Sequence, residues 1–125
     1  MKALLWVIGE LLIIFILLSM ASSDFSTKPE WFKNVPVDKI VHIILFGSLA
    51  MSFFFYFDQS AVKLLKTTSA KACVLIFCIL YGIGMEYYQK YFVPSRGFEV
   101  SDMLADAIGA LVALPIFTYL RRKYN

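Results

Sequence analysis

Four long apolar runs, at residues 3–21, 40–57, 72–93 and 103–120, leave this chain few ways to fold. A helix of 18 residues rises about 27 Å, close to the roughly 30 Å hydrocarbon core of a bilayer. Each run is therefore long enough to cross a membrane with little tilt. None shows the period-two alternation of a barrel strand, so helices are the remaining spanning structure. The expectation is an all-α, integral membrane four-helix bundle in one domain, with helices at about 3–21, 39–57, 71–92 and 102–120. Composition agrees: 60% of the residues are apolar, 17% are charged, and the mean hydropathy is +0.73. An ordinary soluble domain has about 45–50% and about 25%. A disordered tail, a disulfide scaffold and a water-soluble enzyme of ordinary type are all disfavoured.

The connections are short and polar. Residues 22–39 carry Pro29, Trp31 and Pro36, residues 58–71 are lysine-rich, and residues 94–101 form a turn around Pro94-Ser95-Arg96-Gly97. Seven of the twelve Lys and Arg residues (Lys2, Lys63, Lys66, Lys71, Arg121, Arg122 and Lys123) fall on the side of the termini. Basic residues favour the cytoplasm, which predicts both termini inside. The pI of 8.9 reflects this scatter of basic residues between spans and not a nucleic-acid surface. Cys73 and Cys78 lie five apart in an apolar run and read as packing residues. Lys2, the first run and Ser19-Met20-Ala21 have the outline of a signal peptide, but Glu10 in the middle of the stretch favours a retained first helix. Trp31, Phe32, Tyr87, Tyr88 and Tyr91 read as an interfacial aromatic belt. Glu10 receives no role.

Ionisable residues inside apolar helices carry the most information, because a central charge costs about 2.5–3.5 kcal/mol on insertion scales. Asp38 and His42 share a face at the start of the second helix. Glu86 and Gln89 share a face near the end of the third, with Gly82 one turn earlier. Asp102, Asp106 and Gly109 run down the fourth. Arg96 and Glu99 lie in the turn between the last two helices. The predicted topology brings all of these to one end, the extracytoplasmic end. Gly82, Gly84, Gly109, Ala110 and Ala113 are small enough for close backbone approach there. Bland roles compete: Asp38 and Asp102 as helix caps, His42 as a buried neutral imidazole held by a carboxylate, Gln89 as a structural hydrogen-bonding partner, and Lys39 and Lys90 as snorkelling residues. Glu86 stands out, since its place within a helix suggests no capping role.

The combination Asp38-Lys39-x-x-His42, Gly82-x-x-x-Glu86-x-x-Gln89 and Arg96-x-x-Glu99-x-x-Asp102, followed by a small-residue helix with Gly109, resembles the VanZ-like family of small bacterial membrane proteins. The resemblance covers roughly residues 37–113. Asp106 stands where the family usually has Asn, and Ala113 where it has a later glycine. The resemblance implies a multi-pass bacterial cytoplasmic-membrane protein linked with the cell envelope. The family's founding member is associated with teicoplanin resistance. No reaction is implied.

Three readings remain open. In the first, Arg96, Lys39 and Lys90 hold an anionic head group, an outer-leaflet lipid-linked precursor or a glycopeptide, with Glu86, Asp102 and His42 orienting the cations. In the second, His42 with Glu86, Asp102 and Asp106 binds a divalent metal or performs acid–base chemistry as a hydrolase or transferase. In the third, the cluster is structural glue in an accessory subunit. No metal-motif spacing, phosphate loop, dinucleotide turn or Ser-His-Asp set occurs, and one histidine excludes a two-histidine phosphatase mechanism. The sequence favours a non-enzyme without cofactor or metal. Its expected partners are membrane lipids and an anionic lipid-linked envelope precursor, with no nucleic acid, and with a homo-oligomer where transport is involved.

Overall fold

A computed structural model describes residues 2–20, 36–94 and 96–124. Four helices, α1 (Lys2–Ser19), α2 (Val37–Gln59), α3 (Thr68–Phe92) and α4 (Val100–Tyr124), account for nearly all of them. No strand occurs among the described residues. α2, α3 and α4 are long and apolar enough to cross a membrane, whereas α1 is apolar but shorter. Against the expected spans, α2, α3 and α4 begin two or three residues earlier, α2 and α4 end two and four residues later, and α1 stops two residues short. A short 3₁₀ turn, Lys63–Lys66, lies in the lysine-rich connection. Thr67 caps α3 by accepting from the Ala70 amide at 3.2 Å, the ordinary way to satisfy a free donor in a first turn.

The outside of the bundle is oily. Leu5, Trp6, Ile44, Leu80, Leu104 and Leu111 are among many large apolar side chains left exposed. A surface of this kind is unstable in water and suits acyl chains. The centre combines an apolar core with buried polar groups. Ile14, Leu18, Phe46, Leu49, Phe54, Val74, Cys78 and Phe117 pack together, while His42, Glu86, Gln89, Asp102 and Asp106 are also buried. Cys78 is thus a packing residue as expected, and Cys73 is exposed.

The α2–α4 pair is the most extensive contact in the fold. Its closeness follows from two glycines. A Cβ added to Gly47 would sit 3.2 Å from the Gly109 carbonyl oxygen. A Cβ added to Gly109 would collide with the Ile43 carbonyl oxygen and lie 3.0 Å from the Gly47 amide nitrogen. Without a hydrophobic force between helices in lipid, such van der Waals contact is a main source of association. Gly109 does what its position suggested. Gly47 is its counterpart, missed because it lies away from the polar residues. Gly84 does not take part, for nothing lies within 4 Å of where its Cβ would be.

Around the far end of this seam, neighbouring phenylalanines of α2 divide between two environments. Phe54 is buried and Phe55 exposed, and both rings meet Phe117, at 5.4 and 5.2 Å between centroids. Asp58 and Arg121 pair at 2.9 Å at the same end.

α1 is held to this core by polar contacts. Glu10, given no role from sequence, accepts from Ser48 at 2.8 Å and Ser52 at 3.4 Å on α2. Tyr81 donates to the Leu11 carbonyl at 3.0 Å. Trp31, Phe32, the remainder of the connection at 21–35 and the Ala21 of the small-x-small pattern lie outside the described residues. Of the aromatic belt, Tyr87 and Tyr91 are exposed, whereas Tyr88 stacks against Phe15 and Phe92.

The glycine seam gives a direct expectation. Gly109→Ala should lower stability by about 1–3 kcal/mol, because a methyl group has nowhere to go except by separating α2 from α4. Gly84→Ala should be neutral or slightly stabilising. Reversible unfolding in mixed micelles would check this, and equal effects at the two positions would contradict it.

Candidate functional site

The alternation of helix directions places the C-terminal ends of α1 and α3 beside the N-terminal ends of α2 and α4. The polar residues singled out from the sequence gather at that end. His42 Nδ1 lies 2.8 Å from Asp106 Oδ1, and both side chains are essentially inaccessible, at 0% and 1% exposure. The His42 ring also lies parallel to Phe46, with centroids 6.5 Å apart. Nδ1 is thus the ring nitrogen engaged by the carboxylate, and Nε2 is the one left free of it. Asp106 reaches this position because Gly82 leaves room: a Cβ there would stand 2.5 Å from Asp106 Oδ2. Three helices therefore meet at one carboxylate.

Above this pair, towards the end of the bundle, lies a layer of ion pairs. Lys39 donates to Asp102 Oδ1 at 3.0 Å and to Glu99 Oε2 at 3.1 Å. Arg96 Nη2 contacts Asp38 Oδ1 at 3.3 Å, with the arginine side chain only 10% exposed. Ser101 donates to Glu99 at 3.3 Å. In this layer Glu99 and Asp38 are the open acids, at 54% and 42% side-chain exposure, and Asp102 is enclosed, at 3%. Asp38, His42 and Asp102 each offer a ligand atom within 4.8 Å of the others.

The roles of Glu86 and Asp38 shift, Gln89 keeps its structural role, and Lys90 leaves the cluster. Glu86 does have a capping role, but across helices: its Oε2 accepts from the Glu99 backbone N–H at 2.9 Å, immediately before α4 begins. A carboxylate at a helix N-terminus satisfies a free donor and complements the dipole. This was missed because a cap is normally sought next to the helix it closes. Asp38 does not cap α2; Pro36 stands at that cap position and makes no side-chain bond. Gln89 points to α1, donating to the Leu18 carbonyl at 2.9 Å, and so satisfies an acceptor in the last turn of α1. Lys90 lies outside the cluster, exposed and over the rings of Tyr91 and Phe98 at 5.3 and 5.9 Å. The gathered set is Asp38, Lys39, His42, Glu86, Arg96, Glu99, Asp102 and Asp106.

Among the described residues, four buried polar atoms at this site have no partner: His42 Nε2, Glu86 Oε1, Arg96 Nε and Asp106 Oδ2. Buried polar atoms are nearly always hydrogen-bonded, so four in one place set this region apart from the rest of the bundle. A purely cohesive network would be expected to close its own bonds.

Stability measurements can separate pair from context. His42→Ala and Asp106→Ala should each be strongly destabilising, because each leaves a buried polar partner exposed to low dielectric. The double variant should cost less than the sum by about 1–3 kcal/mol. Additive losses would contradict a direct bond.

Comparison with known proteins agrees with the resemblance carried by these residues. Residues 4–121 match the family VanZ/LLP1. An uncharacterized protein of Schizosaccharomyces pombe is 30% identical over 106 residues, a match covering 84% of this chain and 60% of that relative. The chain thus spans about three fifths of the curated relative's length. No solved structure matches. With nearly its whole length matched and its polar residues gathered from α2, α3 and α4, the chain belongs to the VanZ/LLP1 family.

Proposed function

We propose that the polar end of the bundle recognises the phosphate-bearing head group of an anionic lipid at the membrane surface. The single observation that carries this is Arg96. Its side chain is nearly buried and, among the described residues, makes one side-chain contact, at 3.3 Å, and keeps Nε without a partner. A guanidinium presents five donors in a fixed fork suited to phosphate or carboxylate. Here most of that capacity is unspent. Lys39, at 35% side-chain exposure, stands on the same end and supplies a second cation. Asp38, Glu99 and Asp102 hold the two cations in place before a ligand arrives.

Lys63, Lys66, Lys71, Arg121, Arg122 and Lys123 belong to the opposite end, and the preference of basic residues for the cytoplasm supports an outward-facing site. The class of ligand that suits such a site is a lipid-linked phosphate or pyrophosphate of the cell envelope. This fits the envelope association of the family's founding member. The relative in a fission yeast extends the family beyond bacteria, so the reading rests on the phosphate and not on any one envelope polymer.

A structural role has its own support in Gln89 and Glu86, which bind backbone groups of α1 and of the α4 start. Those two residues are assigned to architecture. Arg96 and Lys39 are assigned to the ligand, with Asp38 positioning Arg96.

Native mass spectrometry of the full chain from mild detergent containing EDTA tests the reading, with a polyprenyl phosphate as probe and the matching polyprenol as control. The phosphate should be retained and the alcohol released. Arg96→Gln should weaken retention by about tenfold, the loss of roughly one charge-assisted hydrogen bond, with unfolding midpoint unchanged. Equal retention of both probes, or of phosphate by the folded variant, would contradict it.

A further inference from the structure

We propose that Asp38, His42 and Asp102 form a binding site for a divalent transition-metal ion of the zinc, cobalt or manganese type. Asp38 and His42 lie one turn apart on α2 and Asp102 comes from α4, sixty residues further along the chain, yet each places a ligand atom within 4.8 Å of the other two. Tetrahedral coordination with bonds of about 2.0–2.2 Å sets donors roughly 3.5 Å apart. The gap is small, and the Asp38 side chain, 42% exposed, would close it by turning away from Arg96.

The independent observation is His42 Nε2. The side chain is 0% exposed, and among the described residues this nitrogen has no partner. Nδ1 is taken by Asp106, which leaves Nε2 as the nitrogen available to a ligand. A metal-ligating histidine characteristically donates its other ring N–H to a carboxylate, which fixes the tautomer and raises the basicity of the ligating nitrogen. The Asp106–His42 pair has that form. It also accounts for the acid in the α4 position where the resembling family usually has an amide.

The surrounding charges suit an exchangeable ion. Asp102 is held by Lys39 at 3.0 Å and Asp38 by Arg96 at 3.3 Å. An ion with two positive charges would replace those two cations on the carboxylates and release Lys39 and Arg96 towards the open end. Three protein donors leave a coordination position for an outside oxygen, as in open zinc sites. One imidazole and two carboxylates favour the transition ions over calcium, which wants six to eight oxygens, and over magnesium, which is reluctant to lose its waters. The proposal stands without the lipid reading, although a phosphate oxygen would suit the open position.

The test uses the purified full chain in detergent, stripped with EDTA and without added lipid. Titration with zinc chloride, followed by calorimetry, should show one saturable ion per chain. Cobalt(II) should give visible absorption bands of a low-coordinate site. Asp38→Asn and His42→Gln should each weaken zinc binding by tenfold or more, and Asp106→Asn, a positioning change, by about tenfold. Asp58→Asn, at the opposite end, should leave it unchanged. If His42→Gln fails to fold, the Asp38→Asn result decides, since that side chain is half in solvent. Absence of saturable binding, or binding by folded Asp38→Asn equal to that of the parent, would overturn the proposal. Because phosphate retention is measured in EDTA and zinc without lipid, either result can fail while the other stands.

Discussion

The bond between His42 and Asp106 is the interaction on which the arrangement of α2, α3 and α4 turns. Neither group tolerates a lipid environment alone, and each is enclosed only because the other helix is close. Closeness is set by glycine. Gly47 and Gly109 bring α2 against α4, and Gly82 lets α3 approach the same carboxylate. Replace any of the three by a larger residue and the pair loses its seclusion. The polar chemistry and the packing are therefore one constraint seen from two sides.

From that pair outward, the groups become progressively more open. His42 and Asp106 lie at the centre, Asp102 beside them, then Arg96, Lys39, Asp38 and Glu99 with increasing access to the surface. Glu86 and Gln89 flank this gradient and serve the backbone: one closes the start of α4, the other the end of α1. A bundle whose helix ends are satisfied in this way does not need its ion pairs for cohesion alone. That division separates residues that hold the fold from residues available to a ligand.

Much of this was legible in the sequence because lipid makes polarity expensive. Four apolar runs defined four helices, and the few ionisable residues inside them had to meet. Their spacing (Asp38 with His42, Asp102 with Asp106) put them on shared faces before any coordinates. Partner choice was less legible. Glu86 caps a helix other than its own, Gln89 reaches α1, and Glu10 finds two serines on α2. Such pairings depend on helix rotation, which sequence periodicity barely fixes in a chain apolar on nearly every face. The metal-like grouping was only partly legible: the sequence joined His42 with Asp102, Glu86 and Asp106 as a candidate ligand set and left out Asp38. Asp38 and His42 lie one turn apart, but Asp102 is separated from both by a whole helical hairpin. No motif records that distance. Lys90 shows the opposite error, a cation near the cluster along the chain but turned towards aromatic rings.

His42 is the sole histidine, so its ring can be observed alone. Nitrogen-15 NMR of histidine-labelled, metal-free protein in micelles or bilayers tests the central claim most directly. The account predicts a single tautomer, with Nδ1 protonated in a strong hydrogen bond, Nε2 bare, and both signals displaced by Asp106→Asn. A ring that exchanges freely between tautomers as it does in water, with signals indifferent to that substitution, would contradict it.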